Sequence, residues 1–228
     1  MEKNFKVRLI VGLGMFAVAI LSLYTFDSVP FKIIFSLFAI VSAIELLSFL
    51  NRKFTISNAI LTLIELGFLI GGSVFVALID LNHFWYIILG VCGYDIFAYL
   101  FGKAFGGKIF KKSRPFPRIS KNKTWEGTIL GLLSSIGMVA VLMATRGSFS
   151  LDYWYLLCGP LALCGDLFES YLKRAFGVKD SNEIVIKNKT FRKLEYVVGG
   201  AEGHGGFLDR IDSTAFSATV LLVVAILL

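Results

Sequence analysis

The sequence has few charged residues and few residues able to form disulfides or zinc sites. Only 17% of its 228 residues are Asp, Glu, Lys or Arg, and the mean hydropathy is +0.75. A composition this apolar excludes an ordinary soluble domain and is typical of a polytopic membrane protein. The three cysteines lie in apolar runs without metal-ligand spacing, so nothing indicates a disulfide framework. The only two histidines, His83 and His204, are too far apart in the chain to suggest zinc.

Long apolar runs dominate the rest of the chain. Seven are long enough to cross a bilayer, whose hydrocarbon core needs roughly 20 residues of helix. They cover residues 7–26, 30–49, 57–80, 83–104, 125–145, 151–174 and 209–228. The sequence therefore predicts an all-α, polytopic integral membrane protein with about seven transmembrane helices. We divide it into N-terminal transmembrane helices at 1–82 and a second transmembrane region at 83–228.

Lysine and arginine are distributed unevenly around these runs. With the N terminus in the cytosol, every Lys and Arg except Lys32 and Arg146 falls on the inner side. This positive-inside pattern predicts that both long connections, 105–124 and 175–208, are cytosolic. The run at 7–26 is interpreted as a retained first helix, because no cleavage pattern of small residues follows it.

Acidic residues collect at one depth of the predicted helices. The carboxylates that fall at the inner ends of four runs are Asp95, Glu126, Asp166, Glu169, Asp209 and Asp212. Two pairs among them have i,i+3 spacing, which places both members on one helix face, where their oxygens can hold a hard cation. Charged residues inside a membrane are costly and usually mark a site. Glu45 and Glu65 also lie within runs, and a structural role for them is weighed equally against a role at the site.

Two further segments suggest an anion site. Before the last run, Gly205 and Gly206 allow backbone N–H groups to approach an anion closely, and His204 can donate to a phosphate oxygen. An anion cradle beside a divalent metal is what phosphoryl or nucleotidyl transfer requires. A glycine linker with helix-capping acids is the alternative.

The second segment, residues 113–127, combines basic side chains with hydroxyls that can hold a polyphosphate. Ser120 or Thr124 is predicted to cap the helix that follows, whose N terminus would join the anion site. A basic loop lying on anionic lipid is the alternative. On the run at 151–174, an ion pair of Lys173 with Asp166 or Glu169 would neutralise a buried acid, and such a pair does not exclude metal binding. Residues 181–200 alternate loosely and predict a small hairpin.

In combination these motifs resemble those of the phosphatidate cytidylyltransferases (CDP-diacylglycerol synthases). The resemblance covers residues 95–213 and is carried by Asp95–Tyr99, by Lys123–Gly127 after Ser120, by Asp166–Ser170 continuing to Lys179-Asp180, and by His204–Asp212. The sequence departs from the family pattern at two places. There are 23 residues between Asp180 and His204, where the family has a short linker, and Lys121 stands where the family has proline.

The resemblance implies transfer of a cytidylyl group from CTP to phosphatidate, giving CDP-diacylglycerol and pyrophosphate with Mg²⁺; a second cation is left open. It makes 83–228 the catalytic region. The catalytic residues it implies are Asp166, Lys173, His204, Asp209 and Asp212. The metal ligands it implies are Asp166, Glu169, Asp209 and Asp212. The substrate-binding residues it implies are Asp95, Ser120, Lys123, Thr124, Glu126, Arg174, Lys179, Asp180, Gly205, Gly206 and Arg210.

The expected partners are CTP, phosphatidate or a related lipid phosphate, and membrane lipids, with no nucleic acid. A homodimer is compatible with the family. The expected location is the bacterial inner membrane, with the active site on the cytosolic side.

The enzymatic alternatives are a cytidylyltransferase or CTP-dependent kinase acting on another lipid, such as a polyprenyl or ether lipid. An ion-coupled transporter is less favoured because the acids cluster at one face instead of lining a route across. A lipid-binding scaffold would leave the paired acids without a role.

Overall fold

The computed structural model describes residues 29–111, 114–146, 153–178 and 208–227, and within these ranges it contains helices and no strands. The helices are α1 Val29–Arg52, α2 Ile56–Leu78, α3 Leu81–Phe105, α4 Trp125–Arg146, the 3₁₀ helix Tyr153–Leu157, α5 Cys158–Phe176 and α6 Leu208–Leu227. The all-helical fold predicted from the sequence is confirmed for these residues. The predicted hairpin at 181–200 lies outside them.

Four of these helices are long and apolar enough to cross a membrane. The qualifying stretches are Lys32–Leu50, Ile56–Leu78, His83–Phe105 and Trp125–Arg146. The last helix, α6, contributes a shorter apolar stretch, Ile211–Leu227. The predicted run at 151–174 becomes α-helical only at Cys158, and α5 carries an Asp, a Glu, a Lys and an Arg. The predicted run at 7–26 lies outside the described residues. The structure therefore supports a membrane protein, and within the described residues it contains four of the seven predicted spans as candidates.

Helix ends are specified by local side-chain chemistry. Thr55 and Asp80 cap α2 and α3, since each side chain accepts a hydrogen bond from a backbone N–H in the first turn. Thr124 does the same for α4 through the N–H of Gly127 at 3.0 Å, as predicted for Ser120 or Thr124. At the end of α5, Gly177 adopts a left-handed conformation with φ of 70°, which glycine reaches without steric cost.

Small residues bring the helices close together. A Cβ added to Gly131 of α4 would lie 2.7 Å from the Cβ of Ala98 on α3. A Cβ added to Gly165 of α5 would lie 2.9 Å from the Cα of Ser213 on α6. Without a hydrophobic driving force between helices in lipid, such close backbone approach is a main source of helix association. The contact at Gly165 places the middle of α5 directly against the first two turns of α6.

Sequence neighbours are not always packing neighbours. The short link between α2 and α3 predicts an antiparallel hairpin, but these two helices contact one another little, and α2 packs most extensively on α6. The missing side chain of Gly72 lets α2 and α6 approach closely, because a Cβ on Gly72 would lie 2.8 Å from the backbone of Ala215 on α6. The N-terminal helices α1 and α2 therefore pack against the C-terminal helix α6.

Candidate active site

Three carboxylates converge where α5 meets α6. Asp166, Glu169 and Asp212 each offer an oxygen, and these oxygens lie within 4.8 Å of one another. Glu169 is 1% exposed and Asp212 is 7% exposed, whereas Asp166 is partly accessible. Clustered carboxylate oxygens are the ligands that hard divalent cations prefer. The structure therefore brings together three of the four predicted metal ligands.

The convergence follows from helix geometry and one close helix contact. Asp166 and Glu169 are three residues apart on α5, so they share a face. Gly165, next to Asp166, packs against the backbone of Ser213, next to Asp212 on α6. A larger side chain at Gly165 would hold the two helices apart, and with them the carboxylates.

One carboxylate oxygen of the cluster accepts no hydrogen bond from any described residue. Glu169 Oε1 is buried, and no hydrogen-bond partner for it exists within the part of the chain that the structure describes. An unsatisfied buried carboxylate oxygen is costly, and this one lies beside two further carboxylates. A bound cation would satisfy it, so the donor set fits a hard divalent metal such as Mg²⁺.

Asp209, the fourth predicted ligand, is joined to the cluster through Lys173. The Lys173 Nζ atom lies 2.5 Å from Glu169 Oε2 on its own helix and 2.5 Å from Asp209 Oδ1 on α6. The side chains are 12%, 1% and 14% exposed for Lys173, Glu169 and Asp209. Of the two ion pairs weighed for Lys173 from the sequence, the structure contains the one with Glu169. The ammonium thereby ties α5 to α6 beside the cluster.

Lys123 approaches the cluster from the loop before α4. Its Nζ forms an ion pair with Asp166 Oδ2, and Ser170 Oγ lies 3.4 Å from the other oxygen of that carboxylate. The ammonium also lies 5.4 Å from the ring centroid of Tyr94, a cation–π distance. Burial would lower the pKa of Lys123, but Asp166, Tyr94 and Asp95 together outweigh it and raise the pKa above the ordinary 10.5. Lys123 is therefore a cation at neutral pH.

A cleft of about 560 Å³ opens beside Asp166, between α3, the loop and the start of α4. Its lining residues are Tyr94, Asp95, Ala98, Tyr99, Gly102, Lys103, Gly106, Arg114, Ser120, Asn122, Lys123, Thr124, Thr128 and Asp166. They include the predicted substrate-binding residues Asp95, Ser120, Lys123 and Thr124. Three basic side chains and several hydroxyls in one cleft suit a polyphosphate.

Other predicted substrate-binding residues face elsewhere. Glu126 Oε1 accepts hydrogen bonds from the N–H groups of Ile109 and Phe110, each at 3.0 Å, and so anchors the segment after α3. Arg174 donates to the carbonyl of Val178 at 3.1 Å. Neither side chain lines the cleft.

Several predicted site residues lie beyond what the structure describes. Lys179, Asp180, His204, Gly205 and Gly206 fall outside the described ranges, and Arg210 belongs to α6 without a described side chain. Their assigned roles stay predictions.

The sequence alone did not identify Tyr94, and it left the role of Glu45 open. Tyr94, which is 0% exposed, lies beneath Lys123; no spacing signal marks it, because an aromatic in an apolar run is ordinary. Glu45 of α1 accepts a hydrogen bond from the N–H of Leu208 at 2.9 Å, at the very start of α6. Its charge within an apolar run was the available signal.

The chain is similar to known cytidylyltransferases. A sequence model described as the cytidylyltransferase family matches residues 77–186. The chain is 31% identical to the phosphatidate cytidylyltransferase of Rickettsia felis over 242 residues, which cover 99% of this chain and 94% of that protein. The phosphatidate cytidylyltransferase of Rickettsia bellii is 32% identical over 242 residues, covering 98% and 91% of the two chains. That of Staphylococcus haemolyticus is 38% identical over 151 residues, covering 64% and 50%. No solved structure matches the chain.

Proposed function

The chain belongs to the phosphatidate cytidylyltransferase family, and we propose that it transfers the cytidylyl group of CTP to phosphatidate, giving CDP-diacylglycerol and pyrophosphate. The observation that carries the proposal is the carboxylate cluster of Asp166, Glu169 and Asp212, with a basic cleft opening beside it. The basic cleft and a cation held by the carboxylates would offset the repulsion between two anionic reactants.

The chemistry is a direct displacement. A phosphate oxygen of phosphatidate attacks the α-phosphorus of CTP, a new P–O bond forms, and the bond to the departing pyrophosphate breaks. The lipid phosphate is itself a nucleophile, so no covalent enzyme intermediate is required. Phosphoryl-type transfer depends mainly on positioning and on stabilising negative charge, which are the properties that this site provides.

The cleft is assigned to the triphosphate of CTP. Lys103, Arg114 and Lys123 bring positive charge to its walls, and charge-assisted bonds to phosphate oxygens are roughly twice as strong as neutral ones. Lys123 also contacts Asp166, so a triphosphate bound by Lys123 would have its phosphates next to the cluster. Tyr94 keeps the ammonium there through its ring face.

Asp166, Glu169 and Asp212 would hold Mg²⁺, with Asp209 held beside them by Lys173. When bound, the ion would neutralise phosphate charge and polarise the P–O bonds under attack. Lys173 supplies a fixed positive charge between Glu169 and Asp209. Its charge offsets the repulsion between the two carboxylates.

The proposed setting is a bacterial inner membrane crossed by about seven helices, with the site at the cytosolic face. The positive-inside distribution of Lys and Arg supports this orientation. Large apolar side chains such as Leu63 of α2, 66% exposed, face outward where acyl chains would lie. Acids near helix ends correspond to the depth of a phosphate headgroup, so phosphatidate would enter sideways with its tails in lipid.

The proposal is tested with purified protein in detergent, phosphatidate, Mg²⁺, and CTP labelled at either the α- or the γ-phosphate. We expect the α-label in the lipid and the γ-label in pyrophosphate. A γ-label in the lipid would identify a kinase instead. Replacing phosphatidate with a polyprenyl or ether lipid phosphate tests the alternative acceptors, and replacing CTP tests nucleotide choice.

A matched pair of variants links the activity to the cluster. Asp212→Asn removes a buried carboxylate of the cluster and is expected to abolish transfer while the protein stays folded. Asp80→Asn makes the same chemical change at the cap of α3 and should leave transfer intact. Retained turnover in Asp212→Asn would contradict the assignment of the cluster as the active site.

A further inference from the structure

One face of α1 contacts both helices that carry the carboxylate cluster. Glu45, Phe49 and Lys53 are spaced four residues apart, the last of them just beyond the end of α1. Residues four apart lie above one another on a helix surface. The three side chains therefore form one continuous row.

Glu45 contacts the beginning of α6. Its Oε2 accepts a hydrogen bond from the N–H of Leu208, the first residue of that helix, at 2.9 Å. Both residues are buried, at 1% and 0% exposed. The first N–H groups of a helix lack partners within the helix, and a carboxylate there is also favoured by the helix dipole. Asp209 is the next residue of α6.

Phe49 and Lys53 contact the end of α5. The Phe49 ring packs on Phe176 with centroids 5.3 Å apart. Lys53 Nζ donates to the carbonyl of Ala175 at 3.1 Å, and a cation is favoured at the C terminus of a helix. The row thus carries a negative charge where α6 begins and a positive charge where α5 ends, matching both helix dipoles.

We propose that Glu45, Phe49 and Lys53 form a clamp that sets the carboxylates of α6 in position against those of α5. Glu45 is then a positioning residue for the metal site, although it belongs to the N-terminal helices, which lie outside the family motifs. The consequence for catalysis rests on the proposed function, but the effect on metal binding does not. Misplacement of catalytic groups by about 1 Å can reduce rates by about 10²-fold, so such a clamp matters at the site.

The test measures Mn²⁺ binding to purified protein in detergent without substrates, by electron paramagnetic resonance of the free ion. Glu45→Ala should weaken Mn²⁺ binding by about tenfold or more, the usual effect of removing a group that orients metal ligands. Glu45→Gln keeps an oxygen acceptor for the N–H of Leu208 and should fall between Glu45→Ala and the wild type. Leu47→Ala truncates a side chain in the same turn that is 48% exposed, and should bind Mn²⁺ like the wild type.

A purely structural role makes a different prediction. It would lower the thermal unfolding midpoint of Glu45→Ala but leave the Mn²⁺ affinity of the folded protein unchanged, and that result would overturn the clamp. If Glu45→Ala does not fold, Glu45→Gln and Lys53→Met carry the test, and wild-type affinity in both would overturn it equally.

The metal measurement also separates this inference from the proposed function. A wild-type protein that binds Mn²⁺ but forms no CDP-diacylglycerol would refute the function and leave the clamp to be judged by the variants. A wild-type protein that binds no Mn²⁺ would overturn the clamp as a device for metal binding, whatever the activity.

Discussion

Replacing Lys173 with methionine removes a charge that joins the two carboxylate-bearing helices. The ammonium lies 2.5 Å from both Glu169 Oε2 and Asp209 Oδ1 and is 12% exposed. Methionine keeps an unbranched apolar stem of similar length, so the change in packing is small. The variant takes the shared ammonium away from the buried Glu169 and the partly buried Asp209.

The size of the effect follows from burial. Removing one partner of a buried ion pair costs about 3–5 kcal/mol, because the remaining charge is left uncompensated. For a chain of this length, each kcal/mol lowers the unfolding midpoint by about 2–4 °C. The Lys173→Met variant should therefore unfold about 6–20 °C below the wild type in the presence of a chelator. Lys173→Arg retains the charge and should lose much less.

A divalent cation should reverse part of this loss. With Lys173 absent, the cluster around Glu169 is more negative and should bind Mg²⁺ more tightly than in the wild type. A ligand at 100 times its dissociation constant stabilises the folded state by about 2.7 kcal/mol. Mg²⁺ should therefore raise the midpoint of Lys173→Met by more degrees than it raises that of the wild type.

The assay is thermal unfolding of the detergent-solubilised protein followed by tryptophan fluorescence, with either a chelator or Mg²⁺. Equal midpoints for Lys173→Met and the wild type in chelator would show that the charge contributes nothing to the joining of α5 and α6. An equal response of both proteins to Mg²⁺ would refute the placement of the metal beside Glu169.

Two further predictions concern helix approach and pH. Gly165→Ala would bring a Cβ to 2.9 Å from the Cα of Ser213. The two helices must then separate, and CTP-dependent transfer should be lost. The control is Gly137→Ala, where nothing lies within 4 Å of the added Cβ, and this variant should transfer at the wild-type rate. Because the folded pKa of Lys123 is raised above 10.5, its ion pair with Asp166 is fully present below that value and is lost only as pH rises through the higher folded pKa. The ratio of wild-type to Lys123→Met transfer rates should then be constant from about pH 7 to 9, and a ratio that falls toward one in this range would contradict the ion pair.

Much of the helical framework could be read from local patterns. The run predicted at 125–145 is the helix Trp125–Arg146, and that at 30–49 is contained in Val29–Arg52. Thr124 caps α4 as its position before the apolar run suggested. These features depend on hydropathy and on side chains within one helical turn, which a linear sequence displays directly.

The carboxylate cluster was also within reach of the sequence. The i,i+3 pairs Asp166/Glu169 and Asp209/Asp212 marked two helix faces, and charge placement put both at one depth. What remained open was how the pairs would meet. In the structure Asp212 joins the α5 pair, while Asp209 is turned to Lys173, a division that depends on the rotation of α6 against α5.

The order and chemistry of the residues alone determined the helices, their caps and the set of carboxylates brought to one end of the molecule, because each is specified by neighbours within a few positions. Only the tertiary structure decided that α2 packs on α6 instead of on α3, that Tyr94 lies beneath Lys123, and that Glu45 meets the N–H of Leu208. These contacts join residues far apart in the chain, and they arise where glycines and other small side chains let helix backbones approach. Periodicity shows which face of a helix is apolar, but not which other helix will cover it.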